Sequence, residues 1–145
     1  MSNDEDFQRL LNIILGSVKK LSFQKEDILR ILFYNEHLTA QDIQKKYKSL
    51  NKSSISLSTV YSALNYFSNL NLIKSIDHCG IKKYELNTGL RHDHLICIKC
   101  KKIINFIDKD IIDLQKDIGI RYAFEIHGHI LLLEGICKQC QKQLK

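Results

Sequence analysis

Four cysteines in two Cys-x-x-Cys pairs, Cys97/Cys100 and Cys137/Cys140, are the residues of this chain best suited to chemistry. A two-residue spacer lets both sulfurs of a pair converge on one ion, and Zn²⁺ takes four thiolates in a tetrahedron at about 2.3 Å. The same residues admit two other readings. Two local disulfides need an oxidising compartment, and the opening Met1-Ser2-Asn3-Asp4-Glu5-Asp6 is acidic where a signal peptide is basic and then apolar. A redox dithiol of the thioredoxin kind needs a flanking βαβ pattern, which neither pair has. The expectation is one structural zinc, with the remaining Cys79 a lone thiol near a turn.

Four of the six histidines lie around these clips. His92 and His94 run directly into Cys97; on a strand they share a face, because side chains alternate with period two. Two imidazoles on one face begin a site for Zn, Fe or Mn. His127 and His129 repeat the spacing farther on, with a weaker case. No nucleophile–base pair and no paired carboxylates stand at a spacing that would mark an enzyme.

The elements that must position these groups fall into two halves. Phe7, Leu10, Leu11, Ile14, Leu15 and Val18 form one face of an amphipathic helix with acids at its start. Ser22 should cap a second helix through Ile28, Leu29, Ile31, Leu32 and Phe33. Thr39-x-x-Asp42 reads as a capping box opening a third, with Ile43 and Tyr47 inward. Ser56 or Ser58 opens a fourth, in which Val60, Ala63, Leu64, Phe67 and Leu70 recur at helical spacing. Two strands, 72–76 and 81–86, then flank Asp77-His78-Cys79-Gly80 as a hairpin. Helices followed by a two-stranded wing describe a winged helix. In the second half, the spacing predicts a strand into Cys97, a strand over 103–107, and a helix over 110–119 with Ile111, Leu114 and Ile118 inward. A further strand over 124–133, kinked at Gly128, completes an α+β lobe whose strands could pair across a two-fold axis.

The chain has 145 residues and a net charge of +6, which favours an anionic partner, nucleic acid before membrane surface. Between Phe7 and Lys83 twelve Lys/Arg face only five Asp/Glu. Basic groups before the second helix and on the wing would straddle a duplex and touch its phosphates. The hydroxyls of Ser56, Ser58, Thr59, Tyr61 and Ser62 open the fourth helix and suit phosphates and base edges. The apolar run at 130–133 is far too short to span a bilayer, so a cytoplasmic protein with no membrane association is expected.

Taken together, Ser58-Thr59-Val60-Tyr61, Tyr84-Glu85-Leu86, His92-Asp93-His94-Leu95-Ile96-Cys97-x-x-Cys100, and Gly128-His129 followed by Gly135-Ile136-Cys137-x-x-Cys140 resemble the ferric uptake regulator family of metal-dependent repressors, over about Lys20 to Cys140. The resemblance implies a homodimer on a palindromic, AT-rich DNA operator. It places structural zinc on Cys97, Cys100, Cys137 and Cys140, and a regulatory Fe²⁺, Mn²⁺ or Zn²⁺ on His37, Glu85, His92 and His94. It also implies a winged-helix DNA-binding domain over 1–86, a hinge over 87–91, and an α+β dimerisation and metal-binding domain over 92–145. Lys20 matches a residue that enters the minor groove and Tyr61 one that meets the major groove.

Departures from the family pattern bear on the same sites. Asn105 stands where a fifth regulatory ligand is often Glu or Asp. Arg91 and Ile112 replace two ligands of an auxiliary site, leaving Asp93 and His129. Ser62 replaces an Arg that contacts DNA, and Lys25 replaces another Arg. The expected function is a metal-responsive repressor of metal uptake or homeostasis genes. Its alternatives are a peroxide-sensing regulator of the same family, which would usually carry Asp at position 105, and, from another class, a zinc-dependent interaction module or thiol redox protein.

Overall fold

The structure, a computed structural model, describes residues 2–18, 20–89 and 91–144. Lys19, among the basic residues counted above, and Leu90, within the expected hinge, lie outside the described residues, as do the terminal Met1 and Lys145. The chain folds as two compact units, 1–88 and 89–145.

The first unit has the order α1 (Ser2–Ser17), α2 (Phe23–Tyr34), α3 (Ala40–Asn51), α4 (Leu57–Asn69), β1 (Ile73–His78) and β2 (Ile81–Leu86). Its helix starts follow the caps expected. Ser22 Oγ accepts from the Lys25 amide at 3.2 Å, and Ser56 Oγ from the Thr59 amide at 3.1 Å. At Thr39 the box is reciprocal: Thr39 Oγ1 accepts from the Asp42 amide at 3.1 Å, and Asp42 Oδ2 accepts from the Thr39 amide at 3.0 Å. Each satisfies backbone donors that a helix end leaves orphaned. The apolar faces of the four helices meet in one core in which Phe7, Ile28, Leu29, Ile43, Val60 and Phe67 are wholly buried. Each such side chain contributes about 1.5–3 kcal/mol of burial.

β1 and β2 form the antiparallel wing, pairing Ile73 with Leu86 through to His78 with Ile81. The turn is shorter than expected. Only Cys79 (φ 52°) and Gly80 (φ 75°) lie outside the strands, because two consecutive positive φ values close a two-residue hairpin whose twist matches its strands. On the other edge of β2, Leu38 exchanges backbone hydrogen bonds with Tyr84 at 3.0 and 2.7 Å, which docks the α2–α3 loop onto the wing.

The second unit runs β3 (Asp93–Cys97), β4 (Ile103–Phe106), α5 (Lys109–Arg121), β5 (Leu132–Gly135) and α6 (Lys138–Gln143). Its sheet has the order β4-β3-β5, antiparallel between β3 and β4 and parallel between β3 and β5. Two expectations fail here. Leu114 and Ile118 are exposed on α5 rather than inward. The strand expected from Phe124 is absent over 124–131 and begins only at Leu132, so His129 lies outside any strand. The first follows from sparse burial. The buried residues described in this unit are few (Asp93, Ile96, Cys97, Gly119 and Cys140), and although Ile126 lies against Gly119 of α5, so small a lobe offers no second layer to cover Leu114 and Ile118.

The two kinds of stabilisation in the first unit differ in size and can be read separately. Phe67→Ala should cost about 3–5 kcal/mol through lost burial and the cavity left behind, and Thr39→Ala about 1 kcal/mol through the lost cap. Denaturant titration followed by helical circular dichroism should place the two variants in that order.

Candidate functional site

The cysteine clips are assembled by the end of β3 with the turn that follows it and by the start of α6. β3 ends at Cys97, and a tight turn brings Cys100 back beneath it, closed by Lys101 N–H to Cys97 O at 2.9 Å and Cys97 N–H to Lys102 O at 2.9 Å. Lys101 takes the left-handed conformation this turn requires (φ 66°). On the other side, Cys137 is the N-cap of α6 and Cys140 lies in its first turn, so one helical turn aims both sulfurs the same way. The four Sγ atoms all lie within 4.8 Å of one another. Cys100 and Cys137 Sγ are 3.8 Å apart; a tetrahedron with Zn–S bonds of about 2.3 Å has edges of about 3.8 Å, whereas a disulfide is about 2.05 Å. All five cysteines are free thiols, against the disulfide reading.

The electrostatics favour thiolate at one corner. The Cys137 amide donates to Cys97 Sγ at 3.4 Å, and this bond, with others from the Cys100 and Lys99 amides, holds the Cys97 thiol down at about 6. The crowding of Cys137, together with burial and the remaining sulfurs, pushes Cys140 up to about 12. Sulfurs packed this closely repel as thiolates unless a cation lies among them, and amides aimed at sulfur stabilise metal-bound thiolate. The donor set fits zinc.

In the first unit, the Leu38–Tyr84 bridge sets His37 beside Glu85. His37 Nδ1 lies 3.4 Å from Glu85 Oε2, with the two side chains 8% and 4% exposed. His37 is held at φ 58°, a strained backbone for a non-glycine residue of the kind found where a side chain must be aimed. In the second unit, the His92 and His94 rings are 4.8 Å apart, edge to face, although His92 precedes the first residue of β3. Asn105 on β4 is the register partner of His94, and directly opposed residues of an antiparallel pair project to the same face. Asp93 and His129 are in direct contact and buried. His127, by contrast, is exposed and pairs with exposed Glu125 at 3.2 Å.

Along α4, the exposed residues Ser58, Tyr61 and Ser62 follow helical spacing, with Tyr61 41% exposed. Thr59 is half-buried, and its hydroxyl is engaged by Oγ of the N-cap Ser56 at 2.7 Å, so it braces the cap. The same outward stripe continues at exposed Asn65, seven residues beyond Ser58. Reading the apolar positions of α4 for the core overlooked it, although the helical period applied to the polar face reaches it. Lys20 is exposed. Lys25 Nζ sits 4.3 Å from the centroid of Tyr66, which draws this cation towards α4.

The model of the ferric uptake regulator family matches residues 17–134. This chain belongs to that family. The ferric uptake regulation protein of Legionella pneumophila is 36% identical over 127 residues, covering 84% of this chain and 91% of the relative. The Helicobacter pylori ferric uptake regulator, whose structure reveals three functional metal binding sites, superposes with a TM-score of 0.83 at 28% identity, over 94% of this chain and 93% of that one. The Vibrio cholerae regulator, whose crystal structure reveals structural rearrangement of the DNA-binding domains, gives 0.79 at 32% identity over 87% and 98%. As a ferric uptake regulator family member the chain is a metal-responsive transcriptional regulator, built as a winged helix followed by an α+β lobe.

For this family member, Cys100→Ser or Cys140→Ser should remove the bound zinc and weaken the second unit, since zinc binding is folding energy in so small a lobe. Metal analysis of purified protein should fall from one tightly held zinc per chain to none. A variant that keeps its zinc would remove that sulfur from the ligand set.

Proposed function

We propose that this regulator is a homodimeric repressor of metal uptake or homeostasis genes, switched by a divalent ion that bridges its two units. Structural zinc sits on Cys97, Cys100, Cys137 and Cys140. The regulatory Fe²⁺, Mn²⁺ or Zn²⁺ takes His37 and Glu85 from the first unit and His92 and His94 from the second, with Asn105 as a neutral oxygen donor. The observation that carries this reading is that each unit presents half a site. His37 with Glu85 is a buried imidazole–carboxylate pair, and His92 with His94 a pair of imidazoles in edge-to-face contact. Two ligands hold no transition ion tightly, whereas four nitrogen and oxygen donors do.

An ion held by both units can favour one angle between them only if it binds that arrangement better than others. That angle sets the two α4 helices of a dimer for the half-sites of a palindrome. On an AT-rich duplex, Lys20 enters the minor groove, Lys25 meets phosphate, and Ser58, Tyr61 and Ser62 read or brace in the major groove, with Thr59 holding the helix start. Asn65 extends that stripe with an amide suited to adenine. The homodimer is supported by exposed Leu114, Ile118, Ile120, Tyr122, Phe124 and Ile130, an apolar set larger than a lone lobe leaves in water. The protein acts in the cytoplasm, where thiols stay reduced, and it is not an enzyme. Among the described residues no helix is long and apolar enough to cross a membrane.

Asn105 opposite His94 favours metal response over peroxide sensing, which expects Asp there. His92→Ala should abolish metal-stimulated operator binding while leaving zinc and dimer intact, and Asn105→Asp should raise affinity for Mn²⁺. Titration of Mn²⁺ on chelator-treated, zinc-retaining protein, read by fluorescence anisotropy of operator DNA, checks both; an unchanged metal response in His92→Ala contradicts the switch. On the DNA side, Tyr61→Ala should cost about 1–3 kcal/mol on operator and less on scrambled duplex. Lys25→Ala should lower the salt slope by about one, as the loss of one phosphate contact does.

A further inference from the structure

Asp93 stands between His92 and His94, and its carboxylate is buried against the His129 imidazole, the side chains 5% and 10% exposed. His129 Nε2 donates to Asp93 Oδ1. One residue on, the His94 amide donates to Leu131 O at 3.2 Å. Consecutive residues of β3 are thus tied to positions 129 and 131, one through a side chain and the other through the backbone. The segment they grip, residues 124–131, has no strand of its own, and these ties hold it to β3.

The Helicobacter pylori relative has three functional metal sites, and in this chain Asp93 and His129 would have to serve a third. They do not fit a resident ion. Among the described residues no further His, Cys, Asp or Glu joins them within ligating reach. Arg91 brings a cation that cannot ligate and gives its guanidinium to Gln115 Oε1 at 2.8 Å, and Ile112 offers no donor. His129 Nδ1, buried and without a hydrogen-bond partner among the described residues, leaves one nitrogen and one carboxylate, where zinc and iron sites use three or more protein ligands.

We propose that Asp93 and His129 form a metal-free latch that positions His92 and His94, so that each chain carries two ions rather than three. The role rests on the assignment of His92 and His94 to the regulatory ion. A buried hydrogen bond to a carboxylate restricts the rotation of β3 about its axis. Because side chains alternate along a strand, fixing the Asp93 side fixes the side that His94 presents. Both are positioning residues: they act on the ion through the histidines that hold it.

The test uses the full-length dimer with its structural zinc in place and Co²⁺ as the probe. Binding is followed by ligand-field absorption, and the ion count by native mass spectrometry. Wild type should take up one Co²⁺ per chain beyond zinc. His129→Leu should take up the same single ion with affinity about 10–100-fold weaker, whereas His129→Gln, whose side-chain amide can still donate to Asp93, should stay within about threefold of wild type on the same scale. A second Co²⁺ in wild type, lost in both variants, would make His129 a ligand and overturn the latch; this count decides even if His129→Leu folds poorly. His129→Leu binding Co²⁺ as wild type does would reduce the pair to packing and also overturn it. His92→Ala separates the two assignments. If it too binds Co²⁺ normally, the regulatory site itself is misassigned; if it loses the ion while His129→Leu does not, only the latch fails.

Discussion

Everything in the second unit depends on four sulfurs brought within 4.8 Å of one another. Uncompensated thiolates at that separation repel strongly, and the surrounding lobe has little apolar burial with which to offset the cost, since among its described residues only Ile96 and two of the cysteines are buried hydrophobics. A cation at their centre reverses the sign of the interaction and links the end of β3 to the start of α6, across the intervening α5 and β5. The backbone shows the same constraint. The turn through Lys101, the Cys137 amide aimed at Cys97, and the placing of Cys137 and Cys140 on one helical turn all serve to direct sulfur at a common point. The first unit needs no such device, because its helices close a continuous core around Phe7, Leu29, Ile43 and Phe67.

That contrast explains which parts of the molecule were legible in the amino-acid order. In the first unit local and tertiary signals agree. Ser22, Thr39 and Ser56 cap the helices they were expected to cap, and the apolar period of each helix faces its own core except at Leu15 and Leu70, which lie near helix ends and are exposed. In the second unit the period of α5 correctly announced a helix, but its apolar face is only partly covered by the described residues, and Leu114 and Ile118 remain exposed. Residues 124–131 look like a strand in composition, yet a strand needs an edge to pair with, and only 132–135 find one, beside β3. Periodicity reports what a segment is prepared to bury and is silent on whether the partner belongs to the same chain. The metal-ligating residues were legible for a different reason: Cys-x-x-Cys spacing is itself the geometry of a clip. His37 was reached only through family resemblance, because its pairing with Glu85 depends on the Leu38–Tyr84 bridge between segments far apart in sequence. The buried contact of Asp93 with His129 had no local signal at all.

The two units suit a division of labour in which rigidity and response are separated. Zinc on the four cysteines would make the second unit a fixed platform, and the paired imidazoles of His92 and His94 belong to that same unit. In the proposed switch, His37 on the α2–α3 loop and Glu85 on β2 would be the first unit's ligands, so that a regulatory ion would act on the element next to the DNA-facing helix. Asn105 in register with His94 gives such an ion a neutral neighbour. The proposed site therefore carries less negative charge than one with Glu or Asp at that position, which lowers its hold on any divalent ion and moves its response to higher metal concentration.

The claim at the centre of this account is that zinc, rather than an apolar core, holds residues 89–145 together. Amide hydrogen exchange on the full-length protein, before and after removal of the zinc by a chelator, tests it directly. Loss of protection in β3, β4 and β5 with α2, α3 and α4 unchanged is the predicted result. Persistence of slow exchange in β3 and β5 after the zinc has gone would contradict it.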